Sequence, residues 1–149
     1  MPAKGRWRVL MLGLLLSSTA AAVPGPRPPV IEVADPTLDD FAQTLIEPGH
    51  RPVIRYNPVI CARAGRALCV FTLWHELGHI VLRHASRHIS LARKEREADI
   101  WAARHAPPAA VRAAYRFFLS GHGGSASHGS SLQRAARLRP FLLPPRRHI

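Results

Sequence analysis

At 149 residues, 47% of them hydrophobic and with no repeat of fixed period, the chain has room for one domain with a modest core and is too apolar to be disordered throughout. Its 21 Lys and Arg against 9 Asp and Glu leave it strongly basic, which suits nucleic acid, anionic surfaces or acidic substrates.

Lys4, Arg6 and Arg8 precede an apolar run from Val9 to Leu16, and small residues from Ser17 end at Ala20-Ala21-Ala22. The pattern predicts a cleavable export signal over 1–22, because the uncharged stretch is shorter than the ~20 residues that span a bilayer. The expected location is therefore periplasmic or secreted. Without the signal, 18 basic residues face 9 acidic ones, and no acidic residue follows Asp99. Nucleic acid is not an expected partner of an exported chain, whereas association with anionic surfaces is.

The proline-rich stretch to residue 29 lacks the amide donors of helix or central strand and reads as a linker over 23–29, placing the folded domain at 30–139. Asp35-Pro36-Thr37 before Leu38, Phe41, Ala42, Leu45 and Ile46 predicts a first amphipathic helix ending at Pro48-Gly49. Residues 53–57, β-branched and aromatic between two prolines, predict a short strand at a sheet edge. Cys61 and Cys69 can close a small loop in an oxidising compartment. From Leu68 to about Arg83 apolar residues lie nearly all round the projected cylinder, which predicts a buried helix. Ser90 can cap a helix running to His105, and Pro108 can open another through Leu119. A Gly/Ser-rich segment then reads as a flexible loop, followed by a short helix near 132–138 and a basic Pro/Arg-rich tail over 140–149. Together these elements predict an α+β fold: a small, mostly antiparallel sheet packed on a helical bundle.

The buried helix carries His75-Glu76-Leu77-Gly78-His79. Residues four apart share one helix face, so both imidazoles can reach one ion, while Glu76, about 100° round from His75, reaches a water instead and suits a general base. Composition alone yields about 0.02 such HExxH matches in a chain of this size. Two imidazoles and a water leave tetrahedral zinc one protein ligand short. Glu95-Arg96-Glu97-Ala98-Asp99 on the next helix offers Glu95 as that ligand and Asp99, one turn on, to orient an imidazole, with Glu97 solvated on the opposite face.

The two segments resemble the HExxH and ExxAD motifs of gluzincin metallopeptidases of the HtpX and CAAX-prenyl-protease type, over about residues 50–139. The resemblance implies Zn2+ held by His75, His79 and Glu95, with Glu76 as base, Asp99 in support and a peptide or protein substrate. His128 to Arg134 is similar to a later segment of that type, with a His before a small residue and an Arg six residues on. The ImmA/IrrE type of small metallopeptidase is similar too, sharing the active site and an FTLxHELGH lead like Phe71-Thr72-Leu73-Trp74. Neither type's setting carries over intact: the first has several membrane spans and the second is mostly intracellular.

Among the remaining histidines, His84 projects about 140° from the zinc face and reads as a solvated helix end. His88 also invites attention as a ligand, and His105 and His122 have no pattern. His128 is a candidate donor to a tetrahedral oxyanion, ahead of Tyr115 and Tyr56. The expected activity is an exported zinc-dependent endopeptidase binding substrate along the 53–57 strand. The rivals are a zinc-binding scaffold without catalysis and a metal-free basic module for anionic surfaces.

Overall fold

A computed structural model describes residues 29–142. The expected export signal, almost all of the linker and the tail from residue 143 lie outside the described residues.

Three strands form one sheet: β1 (Ile31–Ala34), β2 (Ala42–Leu45) and β3 (Val53–Tyr56), in the order β1-β3-β2. The fold class is α+β, but the sheet is mixed rather than mostly antiparallel. β1 runs parallel to β3, with Ile31 opposite Val53, and β2 runs antiparallel, with Thr44 opposite Ile54. The predicted edge strand is thus the central one. Its two prolines delimit it without interrupting it: the Pro52 carbonyl accepts from the Ile31 amide, and Pro58 begins a helix.

The predicted helix over 38–46 is instead a turn followed by β2. Asp35 Oδ1 accepts from the Thr37 amide at 2.9 Å, an Asx turn that closes the chain before a helix can start. Asn57 then takes the carbonyls a helix would have used, its amide nitrogen donating to Pro36 O at 3.1 Å and Leu38 O at 2.7 Å, while its backbone N–H donates to Phe41 O. The strand alternation follows, with Ala42 turned inward and Leu45 outward.

Asn57 also caps α1 (Pro58–Ala64), its Oδ1 accepting from the Val59 and Ile60 amides at 2.8 and 3.0 Å. α1 is not among the elements that the sequence predicts. Gly65, at φ +96°, ends α1 and turns directly into α2 (Arg66–Val81), and a disulfide between Cys61 and Cys69 joins the two across the break, with Cα atoms 5.1 Å apart. α3 (Leu91–His105), α4 (Pro108–Leu119) and α5 (Ser131–Leu138) follow the expected bounds closely, capped by Ser90, opened by Pro108 and capped by the Ser130–Gln133 box.

α2 lies between the sheet and the other helices. On one side Leu77 packs with Ala42 and Ile54; on the other, Leu68 and Phe71 join Ala102, Ala114, Phe118 and Leu138 in the main core. Phe71 and Phe118 meet edge to face with centroids 6.1 Å apart, and truncating either to Ala would cost about 3–5 kcal/mol. At Gly78 the backbone of α2 comes close to α3: a Cβ there would lie 3.3 Å from Ala98 Cα. The folded region extends past the expected limit at 139, since Phe141 and Leu142 pack on the main core. Among the described residues no helix is long and apolar enough to cross a membrane.

Candidate metal centre

The α2–α3 crossing places Ala98 against Gly78, so Glu95 and Asp99 flank the same contact that His75 and His79 flank on α2. His75 Nε2 lies 3.1 Å from Glu95 Oε2 and 3.2 Å from His79 Nε2, and His79 Nε2 lies 3.5 Å from Glu95 Oε2. His75 and Glu95 are buried, and His79 keeps a small exposed area.

Asp99, wholly buried, decides what these atoms present to one another. Arg134 donates to both its oxygens, at 3.1 and 2.7 Å, and Arg137 donates to Oδ2 at 2.9 Å. Burial alone would raise the Asp99 carboxyl, but His75 and Arg134 outweigh it and hold the group well below the usual carboxylate range. An ionised Asp99 at 3.0 Å from His75 Nδ1 requires a hydrogen on that nitrogen, so a neutral His75 turns its Nε2 lone pair toward Glu95. Glu95 is itself ionised: burial opposes this, but the His75 and His79 rings depress its carboxyl further. Two lone pairs at 3.1 Å repel unless a cation lies between them. In the metal-free protein that cation is a proton. Burial opposes it, but the hydrogen bonds to Asp99 and Glu95 prevail and raise His75 to about 9.

The same three atoms fit a zinc ion. Ligands ~2.0–2.1 Å from a tetrahedral zinc stand roughly 3.3–3.4 Å apart, close to the 3.1, 3.2 and 3.5 Å found here. The donor set of two imidazoles and a carboxylate is also one that zinc accepts.

Glu76 borders this centre from the cleft side. Thr44 Oγ1, on the free edge strand β2, donates to Glu76 Oε2 at 2.7 Å and steadies the carboxylate. Thr44 carried no signal in the sequence, because its role depends on β2 being a strand. Glu76, His79, Glu95 and His128 line one cleft of about 670 Å³ beneath β2. Glu76, His75 and His128 also line a second recess of about 320 Å³ with Phe117 and Phe118 in its wall.

His128 belongs to the centre. Its Nε2 lies 3.1 Å from Glu95 Oε2, and with His75 and Glu95 it forms a group of donor atoms all within 4.8 Å. The Gly/Ser segment that carries it, expected to be a flexible loop, is an ordered turn. A Ser125–Gly129 bridge closes it, and Arg134 and Arg137 donate to the Gly123 and His128 carbonyls. The Ser125 and Ser127 hydroxyls lie 2.8 and 3.1 Å from His128 Nδ1; with a hydroxyl donating to Nδ1, the ring hydrogen sits on Nε2. Burial holds the ring below its ordinary pKa, with Arg134 and His75 acting in the same direction and Glu95 opposing.

Two expectations fail here. His84 is not a solvated helix end but 2% exposed, with Nδ1 3.0 Å from His79 Nδ1. Glu97 is not free in solvent: Arg87 and Arg93 pair with it, drawing its carboxyl down to about 2, and it faces His84 Nε2 at 3.3 Å. His105 stacks on Trp101 and His122 on Phe117, His88 is exposed, and Tyr56 and Tyr115 pack against the two cores; none of them lines the cleft.

No protein family, curated protein or solved structure matched this chain.

Proposed function

We propose that the chain is a zinc-dependent peptide hydrolase. The observation that carries this reading is the convergence of His75 Nε2, His79 Nε2 and Glu95 Oε2 at tetrahedral spacing, two of them facing as lone pairs, with an acidic side chain steadied at the cleft beside them. Zinc held by these three residues would supply a Lewis acid that polarises the scissile carbonyl and acidifies water. Glu76, fixed by Thr44, takes the proton of the attacking water and passes it to the leaving nitrogen. His128 Nε2, which stands 3.1 Å from Glu95 Oε2 at the wall of the cleft, would donate to the oxyanion that develops as the carbonyl is attacked. The motif resemblance to gluzincins points the same way.

Substrate cannot add to β3, which is paired on both sides. β2 is the free edge over the cleft. Phe41 and Asn57 share a ladder bond, so Ala42 and Thr44 turn their backbone groups outward, where an extended peptide can pair with them.

Metal analysis of purified protein, parent against Glu95→Ala, tests the site: the parent is expected to carry near-stoichiometric zinc and the variant to lose it. Unchanged zinc in the variant would sink the ligand assignment. Glu76→Gln is expected to retain zinc and lose peptide hydrolysis, and a variant as active as the parent would remove Glu76 as the base.

A second reading rests on His128. As a fourth protein donor it would close the ion's coordination and make the site structural in an exported scaffold. His128→Ala separates the two: a large loss of zinc affinity favours the closed site, whereas retained affinity with slowed hydrolysis favours the hydrolase.

A further inference from the structure

Resting on the zinc reading above, we infer that His84 is a positioning residue that links His79 to Glu97 and holds His79 in its metal-ligating tautomer. Arg87 donates to both oxygens of Glu97, and Arg93 donates to Oε1 at 2.8 Å, so this carboxylate can only accept from His84 Nε2, which stands 3.3 Å away. The hydrogen of His84 is therefore on Nε2. A neutral ring has no second one, so His84 Nδ1 presents a lone pair to His79 Nδ1 at 3.0 Å. His79 Nδ1 must then carry a hydrogen, which leaves its Nε2 bare toward His75 and Glu95. The path from Glu97 through His84 does for His79 what Asp99 does directly for His75.

The backbone is shaped for this contact. α2 ends at Val81, and Arg83 takes a left-handed conformation, φ 54° and ψ 41°, which costs a non-glycine residue about 1 kcal/mol. The short 3-10 turn His84–Ser86 that follows returns the imidazole to the His79 ring, with centroids 4.9 Å apart.

The test uses the full chain stripped with chelator, then titrated with zinc against a chromophoric competitor. Ring-nitrogen NMR of the metal-free parent should find the His79 hydrogen on Nδ1, and in His84→Leu it should redistribute to Nε2. His84→Leu should bind zinc about 10–100-fold more weakly. His84→Gln, which can still accept from His79 and donate to Glu97, should stay within a few-fold of the parent. A parent with His79 protonated on Nε2, or a His84→Leu protein that binds zinc as tightly as the parent, overturns the inference. If His84→Leu does not fold, the NMR result on the parent and the affinity of His84→Gln decide. A parent that binds no zinc overturns the hydrolase reading itself, a result distinct from a zinc-binding parent indifferent to His84.

Discussion

Replacing Gly78 by Ala sets two effects of known size against each other. Alanine in place of glycine inside α2 gains about 1 kcal/mol of helix propensity. The new Cβ, however, would stand 3.3 Å from Ala98 Cα and 3.3 Å from Trp101 Cε3, and Ala98 Cα is backbone that cannot rotate away. α3 must retreat by a few tenths of an ångström, an overpacking cost of about 1–3 kcal/mol. The expected balance is a loss of up to about 2 kcal/mol, read as a fall of several degrees in the thermal midpoint. The larger effect falls on the metal. His75 and His79 flank Gly78 on α2, while Glu95 and Asp99 flank Ala98 on α3, so the same retreat lengthens the 3.1 and 3.5 Å separations that fit zinc. Zinc affinity should fall by about tenfold, on the scale of disturbed ligand orientation. Thermal unfolding with and without zinc, together with a competitive zinc titration, reads both quantities. A Gly78→Ala protein that melts higher by the full propensity gain and binds zinc like the parent would refute the claim that this crossing sets the site.

Asp99→Asn should destabilise the domain by about 3–5 kcal/mol in denaturant unfolding, because it leaves the buried Arg134 guanidinium without its anion; a change under 1 kcal/mol would argue against that pairing. Reducing the Cys61–Cys69 bridge, a loop with a separation of 8 residues, should cost about 2.5 kcal/mol by loop-closure entropy, a fall on the order of 10 °C in the melting temperature, and an unchanged melt would show that the bridge constrains nothing. In the metal-free protein, folding raises His75 from 6.5 to about 9, so the protonated ring favours the folded state. That stability is fully present below pH 6.5 and is lost as the pH rises through about 9, so chelator-treated protein should unfold at lower denaturant at pH 9.5 than at pH 6.5; equal midpoints would contradict the raised value.

The helices that carry the site were legible because their signals are local. Ser90 and Pro108 mark their own helix starts, and the spacing within each motif places its residues on one face. Most of what failed depended on groups outside the segment concerned. The segment over 38–46 has helical spacing, yet Asn57, far along the chain, takes the carbonyls of Pro36 and Leu38 and draws the segment into the sheet. His84 was misplaced because the angular projection assumed that α2 continued, whereas Arg83 leaves the helix and turns the chain back. The Gly/Ser segment looked flexible because its composition carries no periodic signal, although a Ser125–Gly129 bridge closes it. Arg134 and Arg137, which add to that order by holding the Gly123 and His128 carbonyls, lie on the next helix.

Those two arginines also change what the basic composition means. The absence of acids after Asp99 suggested a positive outer field over the last third of the chain, yet Arg134 points inward onto Asp99 with its guanidinium carbon 4.2 Å from the Phe118 ring centre, and Arg137 joins it there. Arg87 and Arg93 converge likewise on Glu97. Four cations are thus committed to the two anions that orient His75 directly and His79 through His84. Ionised Asp99 and Glu97 each fix one ring hydrogen away from the centre, so once His75 gives up the proton it shares with Glu95, both Nε2 lone pairs face that carboxylate. Part of the positive charge that reads in sequence as a surface for anionic partners keeps those two carboxylates ionised. Any affinity for anionic surfaces must come from the arginines left outside this framework, and neutralising those should weaken adsorption without changing zinc affinity.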